Sequence, residues 1–187
     1  MFEELTHCFS SLDRDKRIRA VVLSGTDKMF TGGLDSMSFQ EKLVNIQSND
    51  VARRAFELHD VIGFLQGTTQ SVAKCRKPVI SAIHSGCIGV GIDIISATDI
   101  RYCSQDAWFQ IKEIEIGLAA DLGTLQYFPL IVGNDSITRE LTFTARKMDS
   151  SEAEKIGFVG KVFPDAESTK NAAIELAKTI ATKSPIA

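Results

Sequence analysis

The chain has 187 residues, 44% of them hydrophobic and 24% charged, proportions of an ordinary globular protein and a length suited to one domain that buries roughly 70% of its unfolded surface. With 21 basic and 24 acidic residues the formal charge is −3, which argues against a nucleic-acid partner held by a basic surface. No apolar run approaches the roughly 20 residues of a membrane span and no signal-peptide pattern follows Met1, so the chain reads as soluble.

In chain order, Phe2, Leu5, Phe9 and Leu12 recur at helical spacing and predict a first helix. Residues 18–24 read as a strand, followed by a glycine turn over residues 29–35. The most linker-like stretch comes next, residues 40–42 and 45–49. A long helix is predicted over residues 51–75, with Phe56, Val61, Ile62, Leu65 and Val72 among its apolar positions. Residues 78–83 form a short buried strand, and residues 84–91 a glycine-bearing loop that opens into a helix over residues 92–98. A further strand ends at Cys103, and another covers residues 107–111. Beyond Gly123 the pattern turns helical over residues 124–131, 136–144, 151–155 and 167–183, broken by a strand at residues 160–163. Strands alternating with helices predict parallel crossovers and an α/β class. No internal repeat or low-complexity segment stands out. We expect a single domain over residues 1–187, with a core at about residues 18–134 and a helical C-terminal region over 135–187.

Cys8, Cys75, Cys87 and Cys103 have no C-x-x-C pairing, and only three histidines are present to join them. That spacing argues against zinc, and no metal is expected. Buried free thiols in a reducing compartment are the expectation.

The chemistry-bearing residues are three carboxylates. Glu113 and Asp121 flank Gly117, and Asp93 lies upstream in the first turn of the helix predicted after the glycine loop. Ile111, Ile114, Ile116, Leu118, Ala119, Ala120 and Leu122 surround the pair in sequence. Two buried carboxylic acids, one kept protonated by apolar surroundings and one ionised, can take a proton from one carbon and return it at another. The glycine loop before the helix presents unpaired N–H groups and the positive end of a helix dipole. The turn at Gly32-Gly33-Leu34 offers a second donor, and two such N–H groups converging on one oxygen would make an oxyanion hole. Each residue also has a structural reading: Asp93 as a helix-start charge, Glu113 as a solvated residue on a half-buried strand end, and Asp121 as a helix cap. The order G-x-x-G-x-G in residues 86–91 departs from the G-x-G-x-x-G dinucleotide fingerprint, and Asp93 would face the pyrophosphate. His84 lacks a serine in G-x-S-x-G context, so a structural, hydrogen-bonded histidine is the preferred reading. Lys74, Arg76 and Lys77 read as a solvated basic cluster.

Phe30-Thr-Gly-Gly-Leu-Asp35, Lys77-Pro-Val-Ile80, His84-Ser-Gly-Cys-Ile-Gly-Val-Gly-Ile-Asp93 and Asp99-Ile-Arg-Tyr-Cys103 resemble the enoyl-CoA hydratase/isomerase (crotonase) superfamily. Phe109-Gln-Ile-Lys-Glu113, Gly117-Leu-Ala-Ala-Asp-Leu-Gly-Thr-Leu125 and Phe143-Thr-Ala-Arg-Lys-Met148 are similar to its Δ3,5-Δ2,4-dienoyl-CoA isomerase branch. Asp at 93, Glu at 113 and Asp at 121 together are the most specific mark. The resemblance implies a crotonase-like spiral of ββα units with a helical C-terminal part, usually a homotrimer or a pair of trimers. It further implies an acyl-CoA thioester substrate with no separate cofactor, in mitochondrial or peroxisomal fatty-acid β-oxidation. Under it, the backbone N–H groups of Leu34 and Val90 form the oxyanion hole. Glu113, Asp121 and Asp93 are the catalytic carboxylates, and Gly33, Gly89 and Gly117 contact the substrate. An enoyl-CoA hydratase, a Δ3-Δ2-enoyl-CoA isomerase and a non-catalytic CoA-binding or subunit-interaction homologue are the alternatives on the same fold. The chain departs from the family's three successive glycines by carrying Val90 between Gly89 and Gly91. A β-branched side chain disfavours positive φ, which predicts an altered oxyanion site or less acyl room. The resemblance also implies family segments before Met1 and after Ala187.

Overall fold

The computed structural model describes residues 1–35, 46 and 48–185. Among the described residues, seven short strands divide between two sheets. β1 (Val21–Ser24), β2 (Val79–Ile83), β4 (Ile100–Ser104) and β7 (Lys161–Phe163) form a parallel sheet in the order β1-β2-β4-β7. β3 (Gly86–Ile88), β5 (Trp108–Gln110) and β6 (Met148–Asp149) form the second sheet, with β3 and β5 parallel and β5 and β6 antiparallel. The helices of the described residues are α1 (Phe2–Arg14), α2 (Val51–Ala73), α3 (Val90–Ser96), α4 (Thr124–Val132), α5 (Asp135–Thr144), α6 (Ser150–Lys155) and α7 (Ala166–Ala181).

The chain places one strand in each sheet and then a helix, and repeats this. β1 is followed by Thr31, which bridges to Cys87 of β3, and then by α2. β2, β3 and α3 form the next turn, and β4, β5 and α4 the one after. This is the expected spiral of ββα units.

β2 is central in its sheet and buried at every position, as the apolar run of a parallel strand requires. One face of that sheet packs Ile80 and Ala82 against Ala173, Leu176 and Ile180 of α7. Val79 joins Phe9 of α1, Val72 of α2, and Val90 and Ile94 of α3 in another cluster. A third, larger core holds Ile83, Ile92 and Ile95 with Phe109, Phe128 and Phe158, whose rings meet edge-to-face (Phe109–Phe158) and tilted (Phe128–Phe158). The helix starts follow from side-chain caps: Asp50, Asn134, Asp149 and Asp165 each accept a backbone N–H of the helix they open.

Four sequence expectations are corrected. The glycine loop is partly a strand, because residues 86–88 pair with β5, and the helix after it begins at Val90 instead of residue 92. Residues 113–116 form a 3₁₀ turn rather than a strand end. Residues 51–60 of α2 are exposed, including Phe56 at 74%. Cys8 is exposed and Cys75 half-buried, so only Cys87 and Cys103 are the buried thiols expected. Burial raises the proton affinity of both, Cys103 to about 12, which leaves them unreactive. Of the linker-like stretch, residues 40–42, 45 and 47 lie outside the described residues.

Candidate active site

Two glycine turns are stitched together by Thr31. Its N–H donates to the Gly86 carbonyl at 3.1 Å, and its own carbonyl accepts the Ile88 N–H at 3.2 Å. Gly33, at φ +99° and two residues on, donates its N–H to Thr31 Oγ1 at 3.2 Å. A Cβ at residue 33 would lie 3.2 Å from the Ile88 carbonyl oxygen, so the first turn rests on the second. Gly89 carries φ +54° and donates to the Gln110 carbonyl at 2.9 Å. The positive φ thus falls on Gly89, where a glycine tolerates it. Val90 is the first residue of α3, and its side chain is buried with Phe9, Val72 and Val79. The expected backbone conflict at Val90 is therefore absent.

Gln110 ends β5, and three residues later Glu113 opens the 3₁₀ turn that Gly117 closes at φ +72°. The Glu113 carbonyl accepts the Leu118 N–H at 3.0 Å. Its carboxylate turns towards Gly89, with Oε1 only 2.9 Å from the point a Cβ there would occupy. Oε2 is buried with no hydrogen-bond partner among the described residues. Burial, reinforced by the charges of Asp93 and Asp121, pushes the Glu113 carboxyl up to about 7.

Asp93 is 1% exposed and lies behind this surface. One oxygen accepts the Thr124 N–H at 2.6 Å, and the other has no partner among the described residues. Burial raises it to about 6; the Thr124 hydrogen bond opposes the rise and the Asp121 charge adds to it. Asp121 sits in the turn before α4, its carbonyl accepting amide protons from Gln66 at 3.0 Å and Gln126 at 3.2 Å.

Gly33, Leu34, Gly89, Val90, Glu113, Gly117 and Asp121 line one cavity of about 520 Å³, whose apolar side includes Leu58, Ile62 and Leu65 of α2. Seven of the eight residues named from sequence thus meet at one surface; Asp93 does not line it. A second cavity of about 430 Å³ lies beneath the 3₁₀ turn, walled by Ile111, Leu125, Pro129 and Phe143, and shares Glu113, Leu118 and Ala119 with the first.

The apolar shell expected around the carboxylates is incomplete, since Ile114, Ile116 and Leu118 are 46%, 63% and 39% exposed. Of the apolar positions expected on the long helix, Ile62 and Leu65 line the cavity and Phe56, Val61 and Val72 do not. Leu58, Ile62, Gln66, Thr124 and Gln126 are not singled out from sequence as site residues, although Ile62 reads as an apolar helix position. The spacing of Leu58, Ile62 and Leu65 on one helical stripe was the available signal for the first two. His84 Nε2 lies 2.8 Å from the Asp27 carbonyl, the structural role expected of it. Arg76 is tied to Asp13 at 2.7 Å and takes no part in the cavity.

The enoyl-CoA hydratase/isomerase family profile matches residues 1–187. The chain belongs to the enoyl-CoA hydratase/isomerase family. Within this family it is 53% identical over 186 residues to the mitochondrial Delta(3,5)-Delta(2,4)-dienoyl-CoA isomerase of Rattus norvegicus, covering 100% of this chain and 57% of the rat protein. It is 43% identical to the peroxisomal Delta(3,5)-Delta(2,4)-dienoyl-CoA isomerase of Arabidopsis thaliana, covering 100% of this chain and 67% of that protein. The chain thus spans a little over half the length of its rat relative. Among solved family structures, the enoyl-CoA hydratase of Bacillus anthracis superposes with a TM-score of 0.84 at 25% identity, covering 99% of this chain and 67% of that one. The family's crotonase fold is therefore the fold of this chain.

Proposed function

We propose that this member of the enoyl-CoA hydratase/isomerase family shifts the double bonds of a 3,5-dienoyl-CoA to the 2,4 positions. The observation that carries the reading is the single cavity in which Glu113 and Asp121 face the turns at Gly33-Leu34 and Gly89-Val90. The names of the rat and Arabidopsis thaliana relatives support the substrate class.

In this reading the thioester oxygen accepts the N–H groups of Leu34 and Val90, which stabilise the charge that develops on it. Glu113 takes a proton from carbon 2, and the electron pair spreads through the conjugated system to the thioester oxygen. Asp121 gives a proton to carbon 6, leaving double bonds at carbons 2 and 4. The proton held by Glu113 then passes back to Asp121 and restores the starting state. Asp93 acts through charge: its ionisation behind the site holds Glu113 basic enough to attack a carbon acid. On the same reading the protein works in mitochondria or peroxisomes, as a homotrimer or pair of trimers.

Because Glu113 must be ionised to act as base, with its pKa near about 7, kcat/KM falls on the acid side of about pH 7. Glu113→Gln and Asp121→Asn, each checked for folding by circular dichroism, should lose roughly 100-fold or more of diene migration followed by ultraviolet absorbance. Full turnover in both folded variants would sink the proposal.

A further inference from the structure

Nothing in the proposed chemistry explains why the Asp121 carbonyl is held from two sides. Gln66 of α2 donates its side-chain amide to that oxygen at 3.0 Å, and Gln126 of α4 donates to the same oxygen at 3.2 Å. The two donors come from helices separated by fifty residues of chain, and both choose the backbone of Asp121. A carbonyl oxygen has two lone-pair directions, and two donors fill both.

The surrounding turn is tied down as well. The Ala120 carbonyl accepts the Leu125 N–H at 3.1 Å, Asp93 accepts the Thr124 N–H, and the Gly123 carbonyl accepts from both Gln126 and Tyr127. The peptide plane after Asp121 belongs to the glutamines. With the preceding plane held through the Ala120 carbonyl, fixing this one sets both backbone angles of Asp121, and with them the direction in which the side chain leaves the backbone.

We propose that Gln66 and Gln126 are positioning residues that clamp the Asp121 carbonyl from opposite sides and so aim its carboxylate into the cavity it shares with Glu113. This rests on the isomerase reading for its catalytic consequence and on geometry alone for the clamp. Gln66 is half-buried and Gln126 exposed, and neither lines the cavity, so they act through Asp121 instead of touching substrate.

Two donors on one acceptor predict redundancy. Gln66→Met and Gln126→Met keep side-chain length and remove the donor. Each alone should lower kcat by no more than about threefold, because the other donor remains. The double variant should lose about tenfold or more, beyond the product of the singles, with KM unchanged, since a carboxylate misplaced by a fraction of an ångström loses reactivity before binding. Additive losses, or a raised KM at constant kcat, overturn the proposal. If Gln66→Met fails to fold, Gln66→Glu, equally without a donor when ionised, takes its place.

A readout without turnover separates this inference from the isomerase reading. The backbone carbonyl ¹³C resonance of Asp121 should move upfield in each single variant and further in the double. An unmoved resonance in the double variant overturns the clamp even if the enzyme is active. Stepwise movement in a protein without isomerase activity supports the clamp and counts against the isomerase reading alone.

Discussion

Gly89 and Glu113 are 24 positions apart in sequence and in contact in space. A Cβ at residue 89 would reach 2.9 Å from Glu113 Oε1, and the backbone there sits at φ +54°. Gly89→Ala should therefore cost about 1–3 kcal/mol for a positive φ combined with ψ −121° and displace the carboxylate as well. Urea denaturation would measure the first effect, and a loss of turnover larger than the loss of stability would reveal the second. The sequence shows glycines at 86, 89 and 91 but does not reveal which of them carries the positive φ. That depends on where β3 stops, and β3 is defined by pairing with a strand twenty residues later.

Element boundaries show the same division between what is local and what is not. Long amphipathic helices such as α2 and α7 are legible because their signal repeats every turn. Three-residue strands such as β3 carry no periodicity, and the two-residue β6 exists only through its partner β5. The ββα repeat is invisible in sequence for this reason: what recurs is a path between two sheets, with no shared residue pattern. Glu113 and Asp121 could be singled out because their sequence neighbourhood is unusual, and both reached the cavity. Gln66 and Thr124 could not, since their partners lie 55 and 31 positions away. Capping, by contrast, is local and testable. Asp165 accepts the Ser168 N–H at 2.7 Å and starts the helix that covers the parallel sheet. Asp165→Ala should lower stability by about 1 kcal/mol, read as a shifted urea midpoint with an unchanged slope.

Across the whole molecule, the buried carboxylates tie stability to pH. Burial raises Glu113 from 4.5 to about 7 and Asp93 from 3.8 to about 6. Between the unfolded and folded values the native state holds protons that the unfolded chain releases, so stability falls as pH rises from about 4 to about 7. Glu113→Gln and Asp93→Asn remove the groups responsible. Each should flatten the decline and leave the variant more stable than the parent at pH 8, compared by urea midpoints at pH 5 and pH 8. A parent whose stability rises across that window would contradict the assignment. The cost is borne at a site whose ionised form the proposed chemistry requires, a common conflict between folding and function.

Glu113 lines both cavities, together with Leu118 and Ala119. Under the proposed chemistry, what fills the chamber beneath the 3₁₀ turn therefore bears on the same carboxylate. When that chamber is wet, water stabilises the ionised carboxylate; when an apolar group fills it, the carboxylate loses that solvation and its proton affinity climbs further.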